Sequence, residues 1–215
     1  KTGKPQQLDA AEPEHLAEAI AALGLKYVVI TCVTRDDLPD GGAAHFVQCI
    51  AAIREKAPSC KIEILTSDFG YNDAALATAL AAAPDVFSHN IEASRRIYCM
   101  VRKKGKYEES LLLLHKAKDL APAIPTKSGF MLGLGETEDE IFEVMGDLRM
   151  VGCDFLTIGQ YLQPTPRHAE VQKFYHPTEF ERFAAIGKEM GFLHVEAGPL
   201  VRSSYRADKL NAHIR

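Results

Sequence analysis

Short β-branched and aromatic runs alternate with longer helical segments from one end of this chain to the other, and that alternation constrains the fold more than any other feature. The strand-like runs are KYVVITCV at 26–33, KIEILT at 61–66, DVFSHNIE at 85–92, KSGFMLG at 127–133, DFLTIG at 154–159 and FLHVEA at 192–197. Between them the spacing predicts helices over 43–56, 73–82, 94–100, 107–119, 138–151 and 177–190. A leading helix is expected over 12–23: Pro13 suits its first turn, Glu12 and Glu14 suit its positive end, and Gly24 can close it. A parallel return between strands needs a crossover, so six strands alternating with helices imply βαβ units. Two architectures remain, a doubly wound sheet and a partial or full (β/α) barrel.

The strand faces help separate them. A doubly wound sheet is covered on both faces, and its strands read as nearly continuous apolar runs. Here Lys61, Glu63 and Ser67 share one parity, as do Ser88, Asn90 and Glu92, with Val86 as an exception; Ile62 and Ile64 hold the opposite side. Successive strand side chains alternate faces. One polar face therefore predicts the interior of an open barrel around a polar ligand. The series opens on a helix, so a first strand and its loop are expected upstream of Lys1, and the missing start Met fits a fragment. No linker or low-complexity stretch interrupts the series, which predicts one domain over 1–215.

Composition removes several function classes. No run approaches 18 uninterrupted apolar residues, so no membrane span is expected, and the polar N-terminus shows no signal-peptide core. Lys+Arg of 25 against Asp+Glu of 29 gives a net charge of −4, which provides no broad pull on nucleic acid. Neither a membrane nor a nucleic-acid partner is expected. Cys32, Cys49, Cys60, Cys99 and Cys153 form no Cys-x-x-Cys, so the chain carries no self-sufficient zinc or iron–sulfur motif. Their odd number and scatter fit reduced thiols in an intracellular protein.

Ligands of (β/α) barrels sit at the C-terminal ends of the strands. The first visible strand leads into Thr34-Arg35-Asp36-Asp37-Leu38-Pro39-Asp40-Gly41-Gly42. Glycines let backbone N–H groups approach a ligand, a helix N-terminus favours a carboxylate, and Asp40 can accept from an ammonium group; a turn with an Asp cap explains the same residues. The third strand ends in His89-Asn90-Ile91-Glu92, putting Asn90 and Glu92 on one face with chemistry suited to ribose hydroxyls or an amino group. Two inward polar groups are costly without partners. After the fourth strand, Gly133 and Gly135 are present, but Glu138 replaces the third glycine of a dinucleotide fingerprint. Thr137 and Glu140 have capping-box spacing, so a plain strand–helix junction and an adenine-edge site both fit. Gln160, Tyr161 and Gln163 follow the fifth strand, and Arg202-Ser203-Ser204-Tyr205 follows the last. No histidine metal motif or Gly-x-Ser-x-Gly elbow occurs.

The runs YVVITCVTRDDLPDGGA, FSHNIE, VRKKGKYEESL, IPTKSGFMLGLGETEDE, DFLTIGQYLQPT and FLHVEAGPLVRSSYRAD closely resemble the lipoyl synthases, a family of radical S-adenosylmethionine (SAM) enzymes. They occur in the family's order over nearly the whole chain. The resemblance implies an α/β fold, a partial (β/α)6 TIM-type barrel of the radical SAM kind. It implies a sulfurtransferase that inserts two sulfur atoms at carbons 6 and 8 of a protein-bound octanoyl-lysine, forming the lipoyl group. The implied cofactors are SAM and two 4Fe–4S clusters. One cluster reduces SAM to give the 5′-deoxyadenosyl radical that abstracts the hydrogens; the other is consumed as the sulfur source. The implied partners are an octanoylated lipoyl carrier domain or H protein and a reductant such as ferredoxin or flavodoxin. The implied compartment is the bacterial cytoplasm, or the mitochondrial matrix or plastid of a eukaryote.

By the same resemblance, Asp40, Gly41 and Gly42 lie near the SAM methionyl group, and Asn90 and Glu92 near its ribose or amino end. Arg102, Lys127, Ser128 and Gln160 line the cavity. Ser203, with Ser204 as the second choice, is the auxiliary-cluster ligand, and Arg202 holds that motif in place; no residue is assigned as a catalytic acid or base. All six cluster cysteines of the family fall upstream of Lys1, KTGKP matches the segment after the radical SAM cysteine loop, and the fragment alone is expected to be inactive. Two alternatives are a biotin-synthase-like sulfur-inserting enzyme, against which the terminal RSSY argues, and a noncatalytic fragment or paralogue.

Overall fold

The computed structural model describes residues 5–103 and 105–214; the leading KTGK and Lys104 of the VRKKGKY run lie outside them. The chain runs α1 Glu12–Leu23, β1 Tyr27–Thr31, α2 Ala43–Lys56, β2 Lys61–Leu65, a 3-10 turn Phe69–Tyr71, α3 Asp73–Ala81 and β3 Val86–Ser88. It continues through α4 Arg95–Val101, α5 Tyr107–Leu120, β4 Thr126–Leu132, α6 Glu138–Met150, β5 Phe155–Gln160, α7 Pro177–Glu189, β6 His194–Gly198 and a 3-10 stretch Ala207–His213. The strands follow one another in the sheet in chain order, β1 to β6. A doubly wound sheet reverses direction at a switch point. This order never reverses, as in a partial (β/α)6 barrel. Among the described residues no helix is long and apolar enough to cross a membrane.

Two compact units divide the chain within β3: Lys1–Phe87 with Ala207–Ile214, and Ser88–Arg206. In the first, β1 and β2 pair in parallel from Tyr27–Lys61 to Thr31–Leu65. Ala17, Ile20, Phe46, Ile50, Ile53, Ile62, Ile64 and Leu76 are buried in its core. The inward polar parity is realised at Glu63, which is fully buried and accepts the Tyr27 hydroxyl at 2.7 Å. Asp85, just ahead of β3, accepts from Ile62 N at 2.8 Å, Arg54 at 2.7 Å and Lys61 at 3.0 Å. Burial opposes its ionisation, but these donors hold its carboxyl below the ordinary range.

The second unit repeats the device. Asp154, just ahead of β5, accepts from Thr126 N at 2.8 Å and Lys118 at 2.6 Å. Both clamps lie at the N-terminal ends of strands, the stability end of such a fold. Parallel pairs run from Lys127–Phe155 to Leu132–Gln160 and from Phe155–His194 to Gly159–Gly198. The predicted capping box at Thr137 and Glu140 is present and starts α6. A second one, His176 with Glu179, starts α7 beside Pro177.

The third strand is the largest departure from the sequence expectation. Only Val86–Ser88 is strand, where 85–92 was expected. The strand ends at Ser88, although His89 N still donates to Lys127 O at 3.0 Å, and the backbone turns left-handed at Glu92, with φ 68°. It returns through Glu92 N to Gly129 O at 3.0 Å and Met131 N to Glu92 O at 2.9 Å. A left-handed glutamate interrupts the pleat, so simple alternation does not describe 89–92. The 3-10 segments at 69–71 and 207–213 were not anticipated.

Candidate functional site

In the second unit a cavity of about 120 Å3 opens at the C-terminal strand ends, with Asn90, Glu92, Gly129, Thr157, Arg202 and Ser203 among its lining residues. Its floor requires glycine. A Cβ on Gly129 would collide with Thr157 Oγ1, and one on Gly159 with the Val201 carbonyl. The segment after β6 is drawn over this floor by two bonds: Asn90 Nδ2 donates to Ser203 Oγ at 3.0 Å, and Lys127 Nζ donates to Ser203 O at 2.6 Å. Lys127 is only 2% exposed. Arg202 lines the cavity, but its Nη1 donates to the Val201 carbonyl at 2.6 Å, while Asn90 and Lys127 tether Ser203.

Glu92 supplies the cavity with its carboxylate. Burial pushes that carboxyl above its ordinary range, against the pull of the Arg102 guanidinium and a hydrogen bond with Asn90. Arg102 lies behind the wall, its Nη1 3.2 Å from His89 Nε2 and 3.4 Å from the Asn90 carbonyl. Asn90 and Glu92 are thus brought together as the sequence suggested, through a bend rather than a strand.

Ser128 and Gln160 are placed differently from that expectation. Ser128 Oγ accepts Ile91 N at 3.1 Å. Gln160 is 3% exposed; its Nε2 donates to the carbonyls of Leu132 and Tyr161 at 3.1 Å and Lys173 at 3.0 Å, while its Oε1 accepts Tyr175 N at 3.0 Å. Neither lines the cavity; both hold backbone behind it. The glycine loop after β4 is braced in the same way. Glu136 accepts Gly133 N at 2.6 Å and Leu134 N at 2.9 Å, so amides that could cradle an anion already bind the chain's own carboxylate. Sequence reasoning missed Glu136 and Thr157. The signal for Glu136 was its place in the turn, within reach of the amides of Gly133 and Leu134.

The first unit has its own cavity, about 280 Å3, lined in part by Arg35, Gly41, Ser67, Phe69 and Asn72. Asp40 caps α2, accepting Gly42 N at 3.0 Å and Ala44 N at 2.8 Å. Burial raises its carboxyl, yet these backbone donors bring it below the ordinary range. The cap reading of Asp40 is therefore built into the loop. Gly41 and Gly42 are left-handed, at φ 58° and 92°. A Cβ on Gly41 would lie 2.8 Å from Phe69 Cα, so the two loops touch backbone to backbone.

Among the described residues no group of three or more His, Cys, Asp or Glu is arranged to hold a metal ion. All five cysteines are free thiols, and Cys49, Cys60 and Cys153 are buried. Burial pushes Cys49 up to about 11 and Cys153 up to about 12, so both remain protonated thiols rather than thiolate ligands at neutral pH.

The family model of the Radical SAM superfamily matches residues 1–148. Lipoyl synthase of Syntrophotalea carbinolica is 58% identical over 207 residues, covering 96% of this chain and 67% of that protein. The Shouchella clausii lipoyl synthase is 54% identical over 209 residues, covering 97% and 68%. Among solved structures, HydG, a maturase of the [FeFe]-hydrogenase, superposes with TM-score 0.69 at 13% identity over 90% of this chain and 45% of its own. Methylornithine synthase gives 0.64 at 15% identity over 80% and 50%, and both likenesses speak to the fold alone. Identity above half over nearly the whole sequence, on a radical SAM fold, places the chain in the lipoyl synthase family of the radical SAM superfamily.

Proposed function

We propose that the cavity beneath Ser203, in the second unit, suits a ribose and the acyl substrate, and that the Gly41–Gly42 loop, taken by itself in the first unit, suits the methionyl group of SAM. The chain is a sulfurtransferase of its family, inserting two sulfur atoms at carbons 6 and 8 of a protein-bound octanoyl-lysine. When bound, SAM supplies the hydrogen abstraction at those carbons. The residues on both loops fit SAM by their chemistry. Gly41 leaves no room for a Cβ against Phe69, and the cavity near Asn90 joins an amide and a carboxylate to a glycine floor. Asn90 and Glu92 orient hydroxyl or amino groups, while Lys127 fixes the Ser203 carbonyl. On this reading the RSSY segment covers the cavity of the second unit.

The family implies SAM and a 4Fe–4S cluster; two clusters belong to this proposal. The described residues offer no thiolate nest. What they offer is a hydroxyl, and the reading assigns Ser203 Oγ to the auxiliary cluster as a weak oxygen ligand. The observation that carries it is the pair of bonds from Asn90 and Lys127 that hold Ser203 over the cavity. One observation favours Ser204 instead: it is exposed, whereas Ser203 Oγ is engaged by Asn90. The partners on this reading are an octanoylated lipoyl carrier domain or H protein and a ferredoxin or flavodoxin. The bacterial relatives support a cytoplasmic setting.

Ser203→Ala in the full-length, cluster-loaded enzyme is expected to lower lipoyl formation about tenfold or more while 5′-deoxyadenosine formation changes about twofold or less. The same split in Ser204→Ala alone transfers the role to Ser204. Equal loss of both products, or unchanged lipoyl formation in both variants, removes the cluster role from this motif.

A further inference from the structure

The turn at 69–71 in the first unit does more than crowd Gly41. Phe69, Gly70 and Tyr71 are consecutively left-handed, at φ 51°, 61° and 61°. Two of the three carry side chains, and such strain persists only where surroundings impose it. Here Ser67 Oγ accepts Phe69 N at 3.2 Å, Asp68 Oδ1 accepts Gly70 N at 3.0 Å, and Asp68 O accepts Tyr71 N at 2.8 Å. The Phe69 ring is buried edge-on against Phe46, with centroids 6.4 Å apart. Its backbone meets Gly41 across the loop, and the turn forms one wall of the 280 Å3 cavity.

Asn72 ties that wall to the loop opposite. Its Oδ1 caps α3, accepting Ala74 N at 3.0 Å and Ala75 N at 3.2 Å. Its Nδ2 donates to the Pro39 carbonyl at 3.2 Å, immediately before Asp40-Gly41-Gly42. One side chain thus performs two separable tasks, a helix cap and a brace across the cavity.

We infer that Asn72 is a positioning residue: through Pro39 it fixes the strained 69–71 turn against the Gly41 loop and so sets the width of the pocket for the amino-acid end of SAM. The inference rests on the proposal that this loop receives the methionyl group. The brace acts only on that end of the ligand, so ligands lacking an amino-acid arm are indifferent to it.

Asn72→Asp separates the two tasks, because aspartate caps a helix as well as asparagine but has no N–H to give Pro39. In the full-length, cluster-loaded enzyme it is expected to keep the melting temperature within about 2 °C. SAM and S-adenosylhomocysteine are expected to bind about five- to tenfold more weakly, the value of one hydrogen bond, and 5′-deoxyadenosine to bind as before. Asn72→Ser, which also caps, repeats the test if the aspartate perturbs α3. Unchanged SAM binding in both variants leaves Asn72 as a cap only, and equal weakening of all three ligands makes its role merely structural; either overturns the inference. Gly41→Ala tests the parent reading separately. If it too leaves SAM binding unchanged, the methionyl assignment fails; if it weakens SAM binding while the Asn72 variants do not, only the brace fails.

Discussion

Gly133→Ala is expected to destabilise the protein by about 3 kcal/mol and to lower its melting temperature by about 6–12 °C. Gly133 sits at φ 106°, a conformation costing an L-residue about 1–2 kcal/mol or more. The added Cβ would run into Gln160 Nε2 and would lie 2.5 Å from the Lys173 carbonyl. A flexible side chain could swing away, but Gln160 cannot. Its amide is bonded to three carbonyls, and its oxygen accepts Tyr175 N. Moving it breaks buried hydrogen bonds worth about 1 kcal/mol each. The measurement is thermal unfolding of the full-length variant beside Gly24→Ala. Gly24 is also left-handed, at φ 63°, but nothing lies within 4 Å of its added Cβ. It should lose only about 1 kcal/mol, the cost of the helix C-cap conformation. Equal effects at both glycines would show that Gln160 does not brace the loop. Because that loop joins β4 to α6 at the ligand end of the barrel, the loss should extend to SAM affinity.

Why some of this was legible and some not follows from where each signal resides. Helix α2 was read at its observed bounds, 43–56, and α1 likewise at 12–23, because apolar spacing and end residues are local. The α6 capping box needs only two residues three apart, and both were visible. Glu92, Phe69 and Tyr71 are a different matter. A left-handed bulky residue has no signature in its own identity, since its cost is met by contacts made elsewhere. That is why the third strand was drawn too long and the 69–71 turn was not seen. Gln160 shows the same limit for a side chain. Its position at a strand end was evident and invited a ligand role. The convergence of the Leu132, Tyr161 and Lys173 carbonyls on its amide is a product of the sheet and the returning loop. Asp40 stood open to two readings because capping and ammonium binding use the same oxygens. Its bonds to Gly42 and Ala44 commit them to the cap.

Glu92→Gln is expected to separate stability from function. The wild-type carboxyl is shielded from water, and its raised pKa means the folded protein resists the charge. For a carboxyl whose folded pKa exceeds its unfolded one, the unfolded chain gives up the proton first as pH rises. The stability contributed by the neutral form is therefore fully present below the unfolded value. It is lost progressively as pH rises from there towards the raised folded value. Glutamine keeps the shape and cannot ionise. The two proteins should have similar melting temperatures at acid pH, below the unfolded glutamate value, and the variant should gain stability over the wild type as pH rises towards neutral. Glutamine also removes the carboxylate partner of any ammonium or hydroxyl donor on the ligand, so SAM binding should weaken about tenfold or more, the loss of a charge-assisted hydrogen bond. Thermal melts across pH and SAM titration of the full-length enzyme test both halves. A variant that is no more stable at neutral pH and binds SAM like the parent would mean that Glu92 carries its strained, shielded carboxylate for neither purpose. A gain in stability with unchanged affinity would withdraw Glu92 from the SAM site while keeping the electrostatic argument. The converse, weaker binding with no gain, would mean that Arg102 and Asn90 already compensate the buried charge in the free protein.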